Sequence, residues 1–85
     1  MAGHGESNGL HRSSVDIANR SEAPMTLYVE PWGDAFELQP SEVLRVDVLA
    51  PTRRAIPITY GDNSVTVEGW EGAVAEVWRG EERLN

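Results

Sequence analysis

MTLYVEPWGDAFELQPSEVLRVDV, residues 25–48, decides the fold class. Met25, Leu27 and Val29 alternate with Thr26, Tyr28 and Glu30, and Leu44, Val46 and Val48 alternate with Arg45 and Asp47. A period of two marks a strand with one buried face, because successive side chains point to opposite sides of a sheet. Between the two runs, Pro31-Trp32-Gly33-Asp34 and Gln39-Pro40-Ser41 supply residues that reverse a chain, and Phe36 and Leu38 share one face of the short segment between those turns.

The same grammar extends in both directions. Val15 and Ile17 open an earlier strand, separated from Met25 by the polar loop of residues 19–24. After a loop over residues 50–54, Ile56, Ile58 and Tyr60 mark another strand, and Gly61-Asp62-Asn63-Ser64 form a hairpin loop leading into Val65 and Val67. Residues 68–72 turn again before AVAEVWR, residues 73–79, where Ala, Glu and Arg favour helix while Val and Trp favour strand. We read that segment as a strand. No stretch keeps the i, i+3, i+4, i+7 spacing of an amphipathic helix. About seven short strands with closely spaced turns predict an all-β fold: a small antiparallel β-sandwich or a compact barrel. The expected core is Ile17, Leu27, Val29, Phe36, Leu38, Leu44, Val46, Val48, Ile56, Ile58, Val65, Val67 and Val77.

The chain has 85 residues, 14 acidic side chains against seven arginines, no lysine, no cysteine and a net charge of −7. The absence of cysteine excludes disulfides, thiolate catalysis and thiolate metal sites. Residues 1–14 hold three glycines and three serines but one leucine, and read as a disordered tail preceding a single β domain over residues 15–85. No apolar run approaches the roughly 18 residues that cross a bilayer, and no signal peptide is evident, so the expected location is the cytoplasm. The negative charge argues against nucleic acid and anionic membranes, whose binding rests on lysine and arginine. A body this small buries only about 60% of its unfolded surface, which makes homodimerisation a reasonable source of further cover.

Residues 26–35, TLYVEPWGDA, echo residues 64–73, SVTVEGWEGA, with four identities at a spacing of 38. Each copy places a glutamate at the end of an alternating strand, then a turn bearing a tryptophan, then a second strand. The echo suggests two similar hairpins, from duplication or from hairpin grammar repeating by itself.

The two turns carry the candidate binding residues. Glu30, Trp32 and Asp34 belong to one, and Glu68, Trp70 and Glu71 to the other. An aromatic face beside carboxylates accepts a guanidinium or ammonium, and an indole also stacks on an apolar sugar face. The competing reading is that large aromatics simply close the ends of the sandwich, as Trp78 would by packing on its own strand. Glu30, Asp34, Glu68 and Glu71 would bind calcium only if the turns converged, and no calcium-loop motif is present. The same carboxylates lack the substrate cleft that glycoside hydrolysis requires. Both histidines, His4 and His11, fall in the tail, so no serine has a histidine partner within the body. Catalytic activity, cofactors and a resident metal are not expected. If Met1 is removed, Ala2-Gly3-His4 would suit square-planar copper or nickel. Arg53 and Arg54, the one basic pair, lie on a loop either solvated or available to the acidic turns of a second copy.

Tyr28 to Leu44, 17 of the 85 residues, resembles small bacterial β-domain proteins with an E-P-W-G box and an L-x-P-x-E turn. The resemblance implies fold and no activity. Leu38 to Glu42 is also similar to the turn entering a long strand in cupredoxin-like and immunoglobulin-like sandwiches, which more often reads P-G-E. Blue-copper chemistry does not follow, because that site needs a cysteine and two histidines. The functional expectation is a non-enzymatic interaction module for a basic protein partner, or one that self-associates. The alternative is a small-ligand or carbohydrate-binding domain that uses the tryptophan turns.

Overall fold

The computed structural model describes residues 9–85, and these contain no helix. Eight strands follow in order: β1 (His11–Ala18), β2 (Met25–Glu30), β3 (Asp34–Leu38), β4 (Val43–Ala50), β5 (Ile58–Gly61), β6 (Ser64–Glu68), β7 (Val74–Arg79) and β8 (Glu82–Arg83). They form two four-stranded sheets, β1-β4-β7-β8 and β3-β2-β6-β5. The all-β, sandwich-like reading is therefore correct, and residues 74–79 are a strand.

The core is the product of alternation on both sheets. Ile17, Leu44, Val46, Val48, Ala50, Ala75 and Val77 from the first sheet join Leu27, Val29, Leu38, Val65 and Val67 from the second in one buried cluster. Ten of the thirteen expected core residues are buried, while Phe36, Ile56 and Ile58 are half-buried and pack against the cluster. Phe36 lies on the edge strand β3, Ile56 precedes β5, and Ile58 begins that edge strand, so none has a neighbour on both sides.

Three further expectations need correction. The tail does not extend to residue 14, because β1 begins at His11 and pairs along its whole length with β4, from His11 opposite Ala50 to Ala18 opposite Val43. Polar cross-strand bonding orders this apolar-poor segment: Ser14 Oγ donates to Asp47 Oδ1 at 2.7 Å, and Arg12 Nη1 to Asp47 Oδ2 at 2.7 Å. His11 is consequently part of the folded body, although exposed. His4 lies outside the described residues. The strands also number eight rather than about seven, because Glu82 and Arg83 turn back on Arg79 and Trp78 as β8.

The third correction concerns the echo. β2 and β6 are parallel neighbours at the centre of their sheet, in a pattern otherwise antiparallel. Their register pairs Thr26 with Ser64, Leu27 with Val65, Tyr28 with Thr66, Val29 with Val67 and Glu30 with Glu68. The echoed segments thus lie side by side in the alignment their sequences gave. Beyond the glutamates they diverge. Gly33, at φ +78°, reverses the first copy into β3 of the same sheet, whereas Gly72, at φ +86°, carries the second into β7 of the opposite sheet. Gly33 is three residues past its glutamate and Gly72 four, so the second turn is one residue longer than the first. The second expected hairpin does not form.

At the other end of the molecule, Asn19 organises the loops. Buried to 1% exposure, it donates through Nδ2 to the carbonyls of Ala23 and Leu38 and accepts from Ser21 N–H and Oγ. The neighbouring turn from Gln39 to Glu42 is closed by Glu42 N–H donating to Gln39 O at 3.0 Å, with Ser41 at φ +73°. This is the position where glycine is the usual occupant of a type II turn.

Candidate functional site

The β2–β6 register builds the site. Since Glu30 and Glu68 are Cα partners on parallel strands, their side chains leave the same outer face, roughly 5 Å apart at the backbone. Like charges placed opposite one another across two strands repel. No arginine among the described residues forms an ion pair with either carboxylate.

The β2–β3 turn carries Trp32 to the end of this seam, against Gly69. Gly69 N–H donates to Glu30 O at 2.7 Å, which continues the parallel pairing one residue past β6, and Gly33 N–H donates to Val29 O at 3.1 Å to close the turn. The six-membered ring of Trp32 then lies against Gly69 so closely that a Cβ there would come within 2.4 Å of Cη2 and 2.8 Å of Cζ3. Only a residue without a side chain admits this seat. Trp32 remains 41% exposed, its ring on the side to which a side chain at Gly69 would project, opposite to that of Glu68 one residue earlier. Tyr28, 40% exposed, stands instead on the outer face with the two glutamates, between Ala35 and Thr66.

The other candidate residues separate from this group. Asp34 pairs with Val29 and therefore shares the inward-facing parity of its strand, opposite to that of Glu30. Trp70 is half-buried and packs against the core, and Arg54 lies over its ring at 5.2 Å. The ring expected to await a foreign cation thus has the chain's own Arg54 over it, on a loop that is exposed as expected. Glu71 is exposed in the turn from Trp70 to Ala73. The four carboxylates do not converge, and no group of three or more metal-ligating side chains occurs among the described residues.

A second polar cluster escaped the sequence reading. On the outer face of β1-β4-β7-β8, Asp47 is 1% exposed and accepts from Arg12, Ser14 and Arg45, the last through Nε at 3.1 Å. Glu76 lies 3.8 Å from Arg12 and 3.6 Å from Arg83. Arg45 also covers the ring of Trp78, its cross-strand neighbour, at 5.3 Å. Asp47 was hidden because its place in an alternating strand is that of a solvent-facing residue; its burial comes from Arg12, 35 positions away.

An open groove of about 440 Å³ lies at the opposite end of the sandwich from Trp32, lined by Ala18, Asn19, Arg20, Ser41 and Val43. It contains none of the candidate residues. No protein-family model, curated protein or solved structure matches the chain.

Proposed function

We propose that this protein is a non-enzymatic interaction module that receives a basic protein partner on the outer face of the β3-β2-β6-β5 sheet. One observation carries the reading: Glu30 and Glu68 stand side by side in register on the outer face, without an ion-paired arginine among the described residues, with the exposed Tyr28 on the same face. Glu37, opposite Thr26, adds a third carboxylate to the same face. The outer face of the other sheet differs, because Arg12, Arg45 and Arg83 there are engaged with Asp47 and Glu76. A partner presenting positive charge would relieve repulsion on the first face and gain nothing comparable on the second.

The test is binding of an immobilised polybasic peptide to the full chain across a salt series. Exposed charges are screened over about 8 Å at physiological ionic strength, so capture should weaken steadily as salt rises. It should also be lost in the Glu30→Gln, Glu68→Gln double variant. Equal capture at high salt, or by the double variant, would overturn the reading. The exposed Tyr28 beside Thr66 supports the alternative, a carbohydrate ligand stacked on the same face. That reading requires salt-independent sugar binding that changes tryptophan fluorescence.

A further inference from the structure

We infer that the open edge of β1 is an interface for a second copy of this chain, which pairs with it antiparallel about a twofold axis at Ser14. The inference concerns the other sheet and does not depend on the basic-partner reading. β1 ends the β1-β4-β7-β8 sheet, and among the described residues no strand borders its other side. It spans eight residues, against five in β3, four in β5 and two in β8, the other edge strands. It contains no proline and keeps one register with β4 from end to end, without a bulge. Short length, proline and bulges commonly protect an edge from pairing with another chain, and β1 has none of them.

The backbone determines which groups are free. Asn19, the next residue in the β1–β4 register, donates its N–H to Glu42 O at 2.9 Å, so its main-chain groups point to the β4 side. Opposed residues in an antiparallel ladder alternate between bonded and non-bonded pairs. Ser13, Val15 and Ile17 therefore bond toward β4, and the N–H and C=O groups of Arg12, Ser14 and Asp16 point to the open edge. A twofold axis at Ser14 sets Ser14 opposite Ser14 and Arg12 opposite Asp16 on both sides, with each outward donor facing an outward acceptor. An axis at Arg12 or Asp16 would oppose like charges, which destabilises a strand pair. One at Ser13 or Val15 leaves both charges opposite neutral residues, and one between residues sets free backbone groups against groups already bonded.

The side chains suit the first arrangement. Asp16 is exposed and has no ion pair among the described residues, because Arg45, its cross-strand neighbour, is turned to Asp47 and Trp78. Arg12 donates through Nη1 to Asp47, yet its side chain stays 54% exposed and its guanidinium has further donors. On the core side, the half-buried Val15 would be covered by Ser13 of the second copy.

The experiment is sedimentation equilibrium of the full chain over a concentration series, with backbone amide signals followed by NMR over the same range. The paired stretch, His11 to Ile17, is far smaller than the roughly 20–30 residues a side of a standard interface, so a reversible dimer half-formed at about 0.1–1 mM is expected. The amide protons of Arg12, Ser14 and Asp16 should move downfield as they gain hydrogen bonds, while those of Ser13, Val15 and Ile17 move little. This reading needs no variant. Asp16→Asn should weaken association about threefold, and Asp16→Arg, which opposes arginines twice over, by at least about tenfold.

A monomer throughout the series, or a dimer that leaves these three amides unmoved, would overturn the inference. So would amides already at hydrogen-bonded positions in the dilute monomer, which would mean that the edge is closed within one chain. Association indifferent to both Asp16 variants would overturn the axis at Ser14.

Discussion

Replacing Gly69 by alanine tests the seat of Trp32 directly. The Gly69 backbone is not left-handed, so alanine adds no backbone strain, and the stiffer unfolded chain alone would favour the variant by about 0.4–1 kcal/mol. Against this, the new Cβ would stand 2.4 Å from Trp32 Cη2, and the indole must swing away. At 41% exposure, Trp32 hides about three-fifths of its surface. With tryptophans burying about 150–250 Å² when covered, that is about 90–150 Å², or about 2–4 kcal/mol at 25 cal/mol/Å² if all of it were lost. Losing half of that cover, less the gain from the unfolded chain, leaves a net destabilisation of about 1 kcal/mol and a fall in Tm of about 4–8 °C. Urea unfolding of Gly69→Ala, Trp32→Ala and the double variant isolates the contact. In the Trp32→Ala background the alanine should become neutral or stabilising, with a coupling of about 1–2 kcal/mol. A Gly69→Ala cost that persists without the indole would refute the reasoning.

Two other changes probe features at a distance from that seat. Ser41→Gly should stabilise the protein by about 0.5–1 kcal/mol in urea unfolding, since Ser41 holds φ +73° and a left-handed residue with a Cβ costs about 1–2 kcal/mol, partly offset by glycine's freer unfolded chain; an unchanged midpoint would show that the turn carries no such strain. Asp47→Ala should cost about 2–4 kcal/mol by the same measurement, because it leaves Arg12, Ser14 and Arg45 without their shared acceptor. A loss below about 0.5 kcal/mol, typical of surface positions, would mean that the cluster adds nothing to folding.

The strands were legible wherever apolar residues alternate, as in Leu44, Val46 and Val48, because burial on one face forces that pattern. The first four residues of β1, His11 to Ser14, carry no such signal; they are held by polar bonds to a strand more than 30 positions away, which composition cannot reveal. The candidate site was half legible. Glu30, Trp32 and Glu68 were visible as chemistry, and the echo at a spacing of 38 turned out to be their register. The fates of Trp32 and Trp70 were not distinguishable from their turns alone. Each is flanked by glycine and carboxylates, yet one ring rests on Gly69 facing solvent and the other lies between the core and Arg54. What separates them is the path of the chain after the turn and an arginine supplied by a different loop.

The parallel seam between β2 and β6 also bears on how the chain finds its structure. Two hairpins, β2–β3 and β5–β6, need only nearby residues to meet, so each can assemble early. Joining them along the seam brings together residues 38 positions apart, and β1 must likewise travel to β4. Such distant closures set the pace in β proteins, which fold in about milliseconds to seconds. Substitutions within the hairpin turns should therefore act mainly on unfolding if docking of the hairpins is the slow event, whereas Val29 and Val67, facing each other across the seam, should govern the folding rate. Stopped-flow refolding of Val67→Ala that left the folding rate untouched would place the barrier elsewhere. On this view the echo acts in time as well as in space: it marks the two segments whose encounter commits the chain to its fold.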